Sequence, residues 1–329
     1  MLFRPSRWMP NWRATCRPFS NLCISLILFS CLSRLSGQDD GKAREDYILK
    51  LPVDEVVLTF HASDSEGKPV SDIKVSEVQL RDNGVSPRRI VSFGALLDRS
   101  LRVGILIDNS ESMSDTLQLN RMIAERFVQS AFRQESDLAF VGDFGVISKT
   151  LRPWSNSAPL IRQGIHSVRI GGGKALRGTA LFDAVFRACF YNFGKADPTA
   201  TGNILLLFSD GVDNAGQTSL QEALRACQAS NTSIYAFSIP PEPGEASLGP
   251  KNLRDLTSGS GGRLFRADDG ERELLADLST IESESRNQYR LVYKPANFKR
   301  DGSFHEIEIQ PPDRVKRIEV RTGYYAPVQ

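Results

Sequence analysis

The residues from 108 to 112 read Asp108-Asn109-Ser110-Glu111-Ser112 and follow directly on the apolar run Val103–Ile107. One carboxylate and two hydroxyls at alternate positions of a turn are hard oxygen donors, suited to Mg²⁺ or to the similar ions Mn²⁺ and Ca²⁺. Two more oxygen-bearing residues occupy comparable places. Thr179 stands in Gly178-Thr179-Ala180-Leu181-Phe182-Asp183-Ala184, at the opening of an expected helix, and Asp210 follows the run Ile204–Phe208 in Phe208-Ser209-Asp210-Gly211. Taken singly, each has a plain structural role: Ser110, Ser112 or Thr179 as a helix cap, Asp210 as a turn former before a glycine that permits a sharp exit. Their joint order is much harder to obtain by accident. Among the neighbours, Glu111 is expected to face solvent because successive turn residues diverge. Asp183 is expected to support the helix start, with Asp213 a bystander.

Other chemistries find less support. A dinucleotide site would need glycines at the 108–112 turn so that pyrophosphate could approach the backbone, and the turn has none. The histidines His61, His166 and His305 stand in no H-E-x-x-H or G-x-S-x-G context, so no base or activated nucleophile is evident and the expectation is a noncatalytic protein. His166 is expected just after a helix. Gly171-Gly172-Gly173-Lys174 looks like part of a phosphate loop, but Val168 stands where the first glycine is required and Ala175 where a hydroxyl is required. Ser258-Gly259-Ser260-Gly261-Gly262 reads as a flexible connection before a strand.

The elements that must position these residues are legible in the apolar pattern. Val103–Ile107, Leu138–Val141, Ile204–Phe208 and Ile234–Ile239 are nearly continuously apolar, as strands covered on both faces are. Leu119, Met122, Ile123, Phe127, Ala131 and Phe132 recur at helical spacing, as do Leu274, Leu275, Leu278 and Ile281. Alternating β and α units predict an α/β fold with a doubly wound, mostly parallel sheet. In such a sheet ligands sit at the carboxyl ends of strands, where strand order reverses, which is where Asp108 and Asp210 fall. The flanks differ. Val56, Leu58 and Phe60 alternate with polar residues, Glu66-Gly67 and Asp82-Asn83-Gly84 signal turns, and the same texture returns at Tyr289–Tyr293, Asp301-Gly302, His305–Ile309 and Val315–Tyr324. Each flank alone is of a size at which a core is marginal, so the two are expected to pair into one accessory β-sandwich.

The chain has 329 residues, with 41 basic and 39 acidic side chains. The first 37 positions hold five arginines and no acid, leaving 36 basic against 39 acidic residues beyond them. A body without a basic surplus argues against nucleic-acid binding. The amino terminus has four arginines, an uncharged stretch from Pro18 to Ser33 and small residues Ser36 and Gly37, the layout of a secretory signal. Its apolar part is shorter than the roughly 20 residues a membrane span needs, so membrane contact is expected only through this segment, if uncleaved or lipidated. Leu28-Phe29-Ser30-Cys31 loosely resembles a lipoprotein cleavage box, although Phe29 is bulky where a small residue is usual. The expected organisation is a signal at 1–38, an amino-terminal β flank at 39–98, an α/β domain at 99–286 and a carboxyl-terminal β flank at 287–329, in a protein exported to periplasm, surface or medium. Cys16, Cys23 and Cys31 lie in the segment expected to be removed. Cys189 and Cys227 remain, and could form one bridge or stay as two buried thiols.

The pattern D-x-S-x-S, then T, then D resembles the metal-ion-dependent adhesion site of the von Willebrand factor A domain family. It is carried here by Asp108, Ser110, Ser112, Thr179 and Asp210, and the likeness covers roughly residues 100–286. The flanks SEGKPVSDIKVSEVQLRDNG and YRLVYKPANFKRDGSFHEIEIQ are similar to the secreted bacterial branch of VWFA-related proteins. Glu111 departs from the glycine often found there. The resemblance implies a metal-dependent binding or adhesion module in which those five residues hold the cation, the second aspartate commonly acting through water. An exposed Asp or Glu of a protein partner would complete the coordination. Alternatives are an envelope protein whose ion staples loops, or, less well supported, a metal-dependent hydrolase. In switching members of the family, ligand capture shifts the last helix of the domain. Here that helix, expected at about 271–285, leads directly into the carboxyl-terminal flank.

Overall fold

In a computed structural model, residues 54–171, 178–194, 201–238 and 248–328 are described. The expected signal segment and Gly172 to Lys174 lie outside them. The chain runs β1 (Val56–Ser63), β2 (Gln79–Asp82), β3 (Arg89–Leu96), β4 (Ser100–Asp108), α1 (Leu117–Ser130), β5 (Leu138–Phe144), β6 (Lys149–Ser155), α2 (Ala158–Ser167) and α3 (Leu181–Arg187). After a π-helical turn at Ala188–Phe193 come β7 (Thr201–Phe208), α4 (Leu220–Ala229), β8 (Thr232–Ser238), α5 (Gly249–Ser260), β9 (Leu264–Arg266), α6 (Glu271–Arg286), β10 (Gln288–Lys294), β11 (Phe304–Gln310), β12 (Arg317–Val320) and β13 (Gly323–Tyr325).

The central sheet has the order β6-β5-β4-β7-β8-β9. Its pairings are parallel except for β5 with the edge strand β6. Side-chain alternation sends Val103, Ile105, Ile107, Ile204, Leu206 and Phe208 into a core under α1, α2 and α6. Leu106, Leu205 and Leu207 face the opposite core under α3, α4 and α5. Helices on both faces explain why the strands read as unbroken apolar runs. Strand order reverses at β4, which has β5 on one side and β7 on the other, and the register sets Ile107 opposite Phe208. The residues just past these two positions therefore meet at one edge.

Strands from both flanks build the remaining two sheets, β12-β1-β10-β3 and β13-β11-β2. Leu58, Phe60, Tyr289 and Leu291 from the first share a core with Leu80, Ile307 and Tyr324 from the second. At the centre of that core the buried Asp82 carboxylate accepts hydrogen bonds from Tyr293 Oη at 2.8 Å and Tyr324 Oη at 2.9 Å and faces His305 Nδ1 at 2.7 Å. Asn83 and Gly84 both adopt positive φ in the turn after β2.

Three expectations are corrected. His166 lies inside α2, in its last turn, because the helix continues to Ser167. Ser258 to Ser260 are the end of α5 and not a flexible connection; Gly261, in the left-handed conformation, closes the helix, and Ser260 Oγ accepts the Ile234 amide at 2.9 Å. The stretch Val315–Tyr324 divides into β12 and β13, which lie in different sheets.

Cys189 and Cys227 are joined by a disulfide, both side chains fully buried. The bridge ties the π-helical turn to α4. Among the described residues no helix is long and apolar enough to cross a membrane.

Candidate functional site

The turn after β4 folds back on itself: the Ser110 amide donates to Asp108 Oδ1 at 2.9 Å, and a single 3-10 turn follows at Glu111–Met113. Ser110 Oγ lies 3.1 Å from Ser112 Oγ, and Ser112 Oγ donates to Asp210 Oδ2 at 2.7 Å. Two chain segments 98 residues apart are thus joined by a row of oxygens. Along the row Asp108 has no exposed surface, Ser110 is buried, Ser112 is exposed and Asp210 is half-buried. The site opens to solvent at Ser112. Glu111 is exposed.

Asp210 is aimed by its own loop. Its Oδ1 accepts the Val212 amide at 2.9 Å, and Gly211 turns the chain at φ 83°. A Cβ at Gly211 would lie 2.2 Å from the Gly249 carbonyl oxygen, so only glycine fits where this loop meets α5. Thr179 is held by its backbone in a neighbouring loop. Its amide donates to Asn214 Oδ1 at 2.8 Å, its carbonyl accepts the Asn214 and Ala215 amides at 3.0 Å, and the Ala180 amide donates to Gly145 O at 2.8 Å. A Cβ at Gly145 would lie 2.8 Å from Asn109 Oδ1, with Gly178 O at 3.7 Å and Ser110 N at 3.9 Å, so the 178–180 and 108–112 loops meet beside a glycine that leaves room for the Asn109 side chain. Among the described residues the Thr179 hydroxyl makes no hydrogen bond to the other four. Nor does Thr179 cap a helix, for α3 begins two residues later after Ala180.

Asp183 lies in the first turn of α3, as expected, and Asp213 is more than a bystander. Asp213 Oδ1 accepts the Phe182 amide at 3.1 Å and so supports the start of α3. Asp183 accepts the Gln217 amide at 3.2 Å and the Thr218 amide at 2.7 Å, holding the loop before α4. Both roles need coordinates, since only the fold shows which loop faces which helix.

Residues missed from sequence complete the surroundings. Ser209 Oγ donates to Asp108 Oδ2 at 2.7 Å and accepts the Gly211 amide at 3.0 Å. Its place directly before Asp210 was the available signal. Asn109 Nδ2 donates to Asp143 Oδ2 at 3.0 Å, while the buried Asp143 Oδ1 has no partner among the described residues. Burial pushes Asp143 above the usual carboxylate range, against the Asn109 hydrogen bond.

Burial also pushes Asp108 up, to about 6. The bonds from Ser110 and Ser209 oppose that shift, and the nearby Asp210 charge adds to it. Among the described residues neither Asp108 nor Asp210 contacts a cationic side chain; their partners are amides and hydroxyls. No three His, Cys, Asp or Glu side chains converge among the described residues, so the donors are two carboxylates and neutral hydroxyls. Paired carboxylates bridged by hydroxyls, one fully buried and lacking a countercharge, fit a small hard cation that tolerates neutral oxygens and water.

The von Willebrand factor type A domain family matches residues 103–281. No curated protein matches the chain. Among solved structures the chain is similar to proximal thread matrix protein 1 of the mussel byssus, with a zinc-occupied MIDAS motif, at 14% identity and TM-score 0.48, covering 62% of this chain and 50% of that one. It is also similar to BatB from Bacteroides thetaiotaomicron, at 16% identity and TM-score 0.43, covering 56% and 97%. A third is a von Willebrand factor type A protein from Catenulispora acidiphila, at 14% identity and TM-score 0.42, covering 77% and 74%. The chain spans half the length of the mussel protein. With the α/β sheet, the two-sided helical layers and more than half of its length matched, the chain belongs to the von Willebrand factor type A domain family, whose members commonly use a divalent cation and mediate protein–protein contacts.

Proposed function

We propose that the protein is an extracytoplasmic, noncatalytic binding module that captures an exposed Asp or Glu of a protein partner at a divalent cation, in the first instance Mg²⁺. Asp108, Ser110, Ser112, Thr179 and Asp210 would hold the ion. The observation that carries this reading is the oxygen row from buried Asp108 through Ser110 and Ser112 to Asp210, its two side-chain steps measuring 3.1 and 2.7 Å. When bound, the cation supplies a Lewis-acidic position at which a partner's carboxylate can be held.

The chain's own residues prepare that position. Ser209 and the Ser110 amide fix both oxygens of Asp108, and the Val212 amide fixes one oxygen of Asp210. Among the described residues two carboxylates, Asp108 and Asp210, face the site, so an ion bound there keeps affinity for a further anion. The partly buried Asp210 and exposed Ser112 leave the open side available to a partner.

Export is part of the proposal. The amino-terminal layout supports it, and a disulfide between Cys189 and Cys227 suits an oxidising compartment.

Calorimetric titration of Mg²⁺ into wild type and Asp108→Ala tests the site. The wild type should bind and the variant should not, and equal binding by the two would refute the assignment. Partner capture from envelope extract with and without chelator separates a binding role from loop stapling. Stapling alone would lower melting temperature on chelation and leave capture unchanged.

A further inference from the structure

A second site lies away from the aspartate cluster, where α4 meets the sandwich strands. A groove of about 530 Å³ opens there, and its lining includes Arg225 from α4, Arg300, Arg321, Phe298 and Tyr325. This volume falls in the range of small-molecule pockets.

Among the described residues the arginines are under-compensated. Arg321 is only 9% exposed, and its Nη2 donates to the Val57 carbonyl at 2.8 Å. Among the described residues its buried Nε has no acceptor, and it forms no ion pair. Arg225 donates from Nη2 to the Gly302 carbonyl at 3.1 Å, and its buried Nε likewise has no acceptor among the described residues. Neither Nη1 has a hydrogen bond to a described residue. Arg300 is the exception, paired with Asp54 at 2.8 Å. Glu55, the one carboxylate among the lining residues, faces Lys294 at 3.8 Å.

A guanidinium taken out of water without a countercharge is costly, and one that keeps only carbonyl partners remains a strong anion receptor. Burial holds Arg321 below its ordinary value, a shift that an anion in the groove would oppose. The walls are aromatic as well as cationic. Arg225 lies 5.0 Å from the Tyr325 ring centroid, Arg300 5.7 Å from Phe298 and Arg321 5.9 Å from Tyr324. Flat apolar faces beside a guanidinium fork suit a planar ligand that ends in an oxyanion.

We propose that this groove binds a small organic oxyanion, a carboxylate or phosphate carried on a flat apolar body, between Arg225 and Arg321. The site does not depend on the cation reading, because it shares no residue with the aspartate cluster.

The test is calorimetry and thermal melting of the full chain, disulfide intact, with chelator present so that no metal site contributes. Phenyl phosphate, benzoate, inorganic phosphate and chloride are compared at constant ionic strength. Phenyl phosphate or benzoate should bind and raise the melting temperature, chloride should not, and whichever aryl anion binds identifies the headgroup. Arg225→Gln, on a partly exposed helix position, should weaken binding about tenfold or more, the loss expected for one charge-assisted hydrogen bond. Arg272→Gln, at an exposed site elsewhere, should leave binding unchanged. Absence of binding by both aryl anions up to about 10 mM, or wild-type affinity in Arg225→Gln, overturns the site. Equal affinity for phenyl phosphate and inorganic phosphate overturns the flat-bodied ligand.

Discussion

Arg286 and Asp137 form a two-point ion pair in the interior, Nη2 to Oδ2 at 2.6 Å and Nη1 to Oδ1 at 3.1 Å. Arg286 also donates to the Arg99 and Ala131 carbonyls, and Asp137 accepts the Leu101 and Arg133 amides. The pair fastens the end of α6 to the segment between α1 and β5. Removing Asp137 takes the two-point partner from the buried Arg286 and leaves it the half-buried Glu282, Nε to Oε1 at 3.0 Å, so Asp137→Ala should cost about 3 kcal/mol of stability, the low end for breaking a buried pair. Urea denaturation checks this, and a loss below about 1 kcal/mol would mean the pair behaves as a surface bridge.

Cation binding should appear as stabilisation. At a Mg²⁺ concentration tenfold above its dissociation constant, the folded state gains about 1.4 kcal/mol, a few degrees of melting temperature for a unit of this size. Asp108→Ala and Asp210→Ala should melt at the same temperature with Mg²⁺ or with chelator. An Mg²⁺-dependent rise retained in both variants would place the ion elsewhere.

Cys189 and Cys227 are 38 residues apart. Chain-entropy reasoning assigns closure of such a loop about 4 kcal/mol, within a usual range of about 2–5. Cys227→Ser should therefore lower stability by that order, and reductant should lower wild type but not the variant. Indifference of wild type to reductant would show that the bridge adds nothing.

Glu284 carries a pH dependence. Burial pushes its carboxyl up to about 7 despite the ion pair with Arg263, so the folded chain holds this proton more tightly than the unfolded chain, where the ordinary value is 4.5. Its contribution is most favourable below about pH 4.5, declines as pH rises through 7 and is flat above. Glu284→Gln mimics the protonated form, so its stability relative to wild type should improve by roughly 1–3 kcal/mol between pH 5 and 8. Denaturation of both chains at the two pH values reads this directly, and a constant difference would sink it.

The domain limits read from sequence give a fifth expectation. Arg99 Nη2 bonds Gln288 Oε1 at 2.6 Å, the Thr322 amide bonds Ser258 O at 3.1 Å, and Gln228 Nε2 bonds Gly323 O at 3.1 Å. Residues 99–286 expressed alone lose these partners and should lose cooperative melting or solubility. A sharp, reversible transition in the fragment would show an autonomous domain.

The parts of the fold written in local chemistry were the legible ones. Val103–Ile107 and Ile204–Phe208 are unbroken apolar runs because helices cover both faces, and Asp108 and Asp210 stand out because each is the first carboxylate after such a run. The bond of Asp213 to the Phe182 amide and that of Asp183 to the Thr218 amide were not legible because these partners are 31 and 35 residues away. The helical state of Ser258–Ser260 was hidden by two serines and a glycine that favour turns. Burial overrides that preference: Gly259 leaves room for Leu224, whose Cδ1 would stand 2.9 Å from any added Cβ. Buried cations such as Arg321 give no sequence signal, since what marks them is missing company.

The close meeting of Gly211 with Gly249 has a mechanical side. A Cβ at Gly249 would lie 2.1 Å from the Asp210 carbonyl oxygen, and Asn252 Nδ2 holds the Gly211 carbonyl at 3.0 Å. At the far end of the same helix, Ser258 O takes the Thr322 amide from the sandwich. α5 is therefore a strut about 18 Å long, braced at one end on the loop that aims Asp210 and at the other on the accessory sheets, and neither abutment can slide without loading the other.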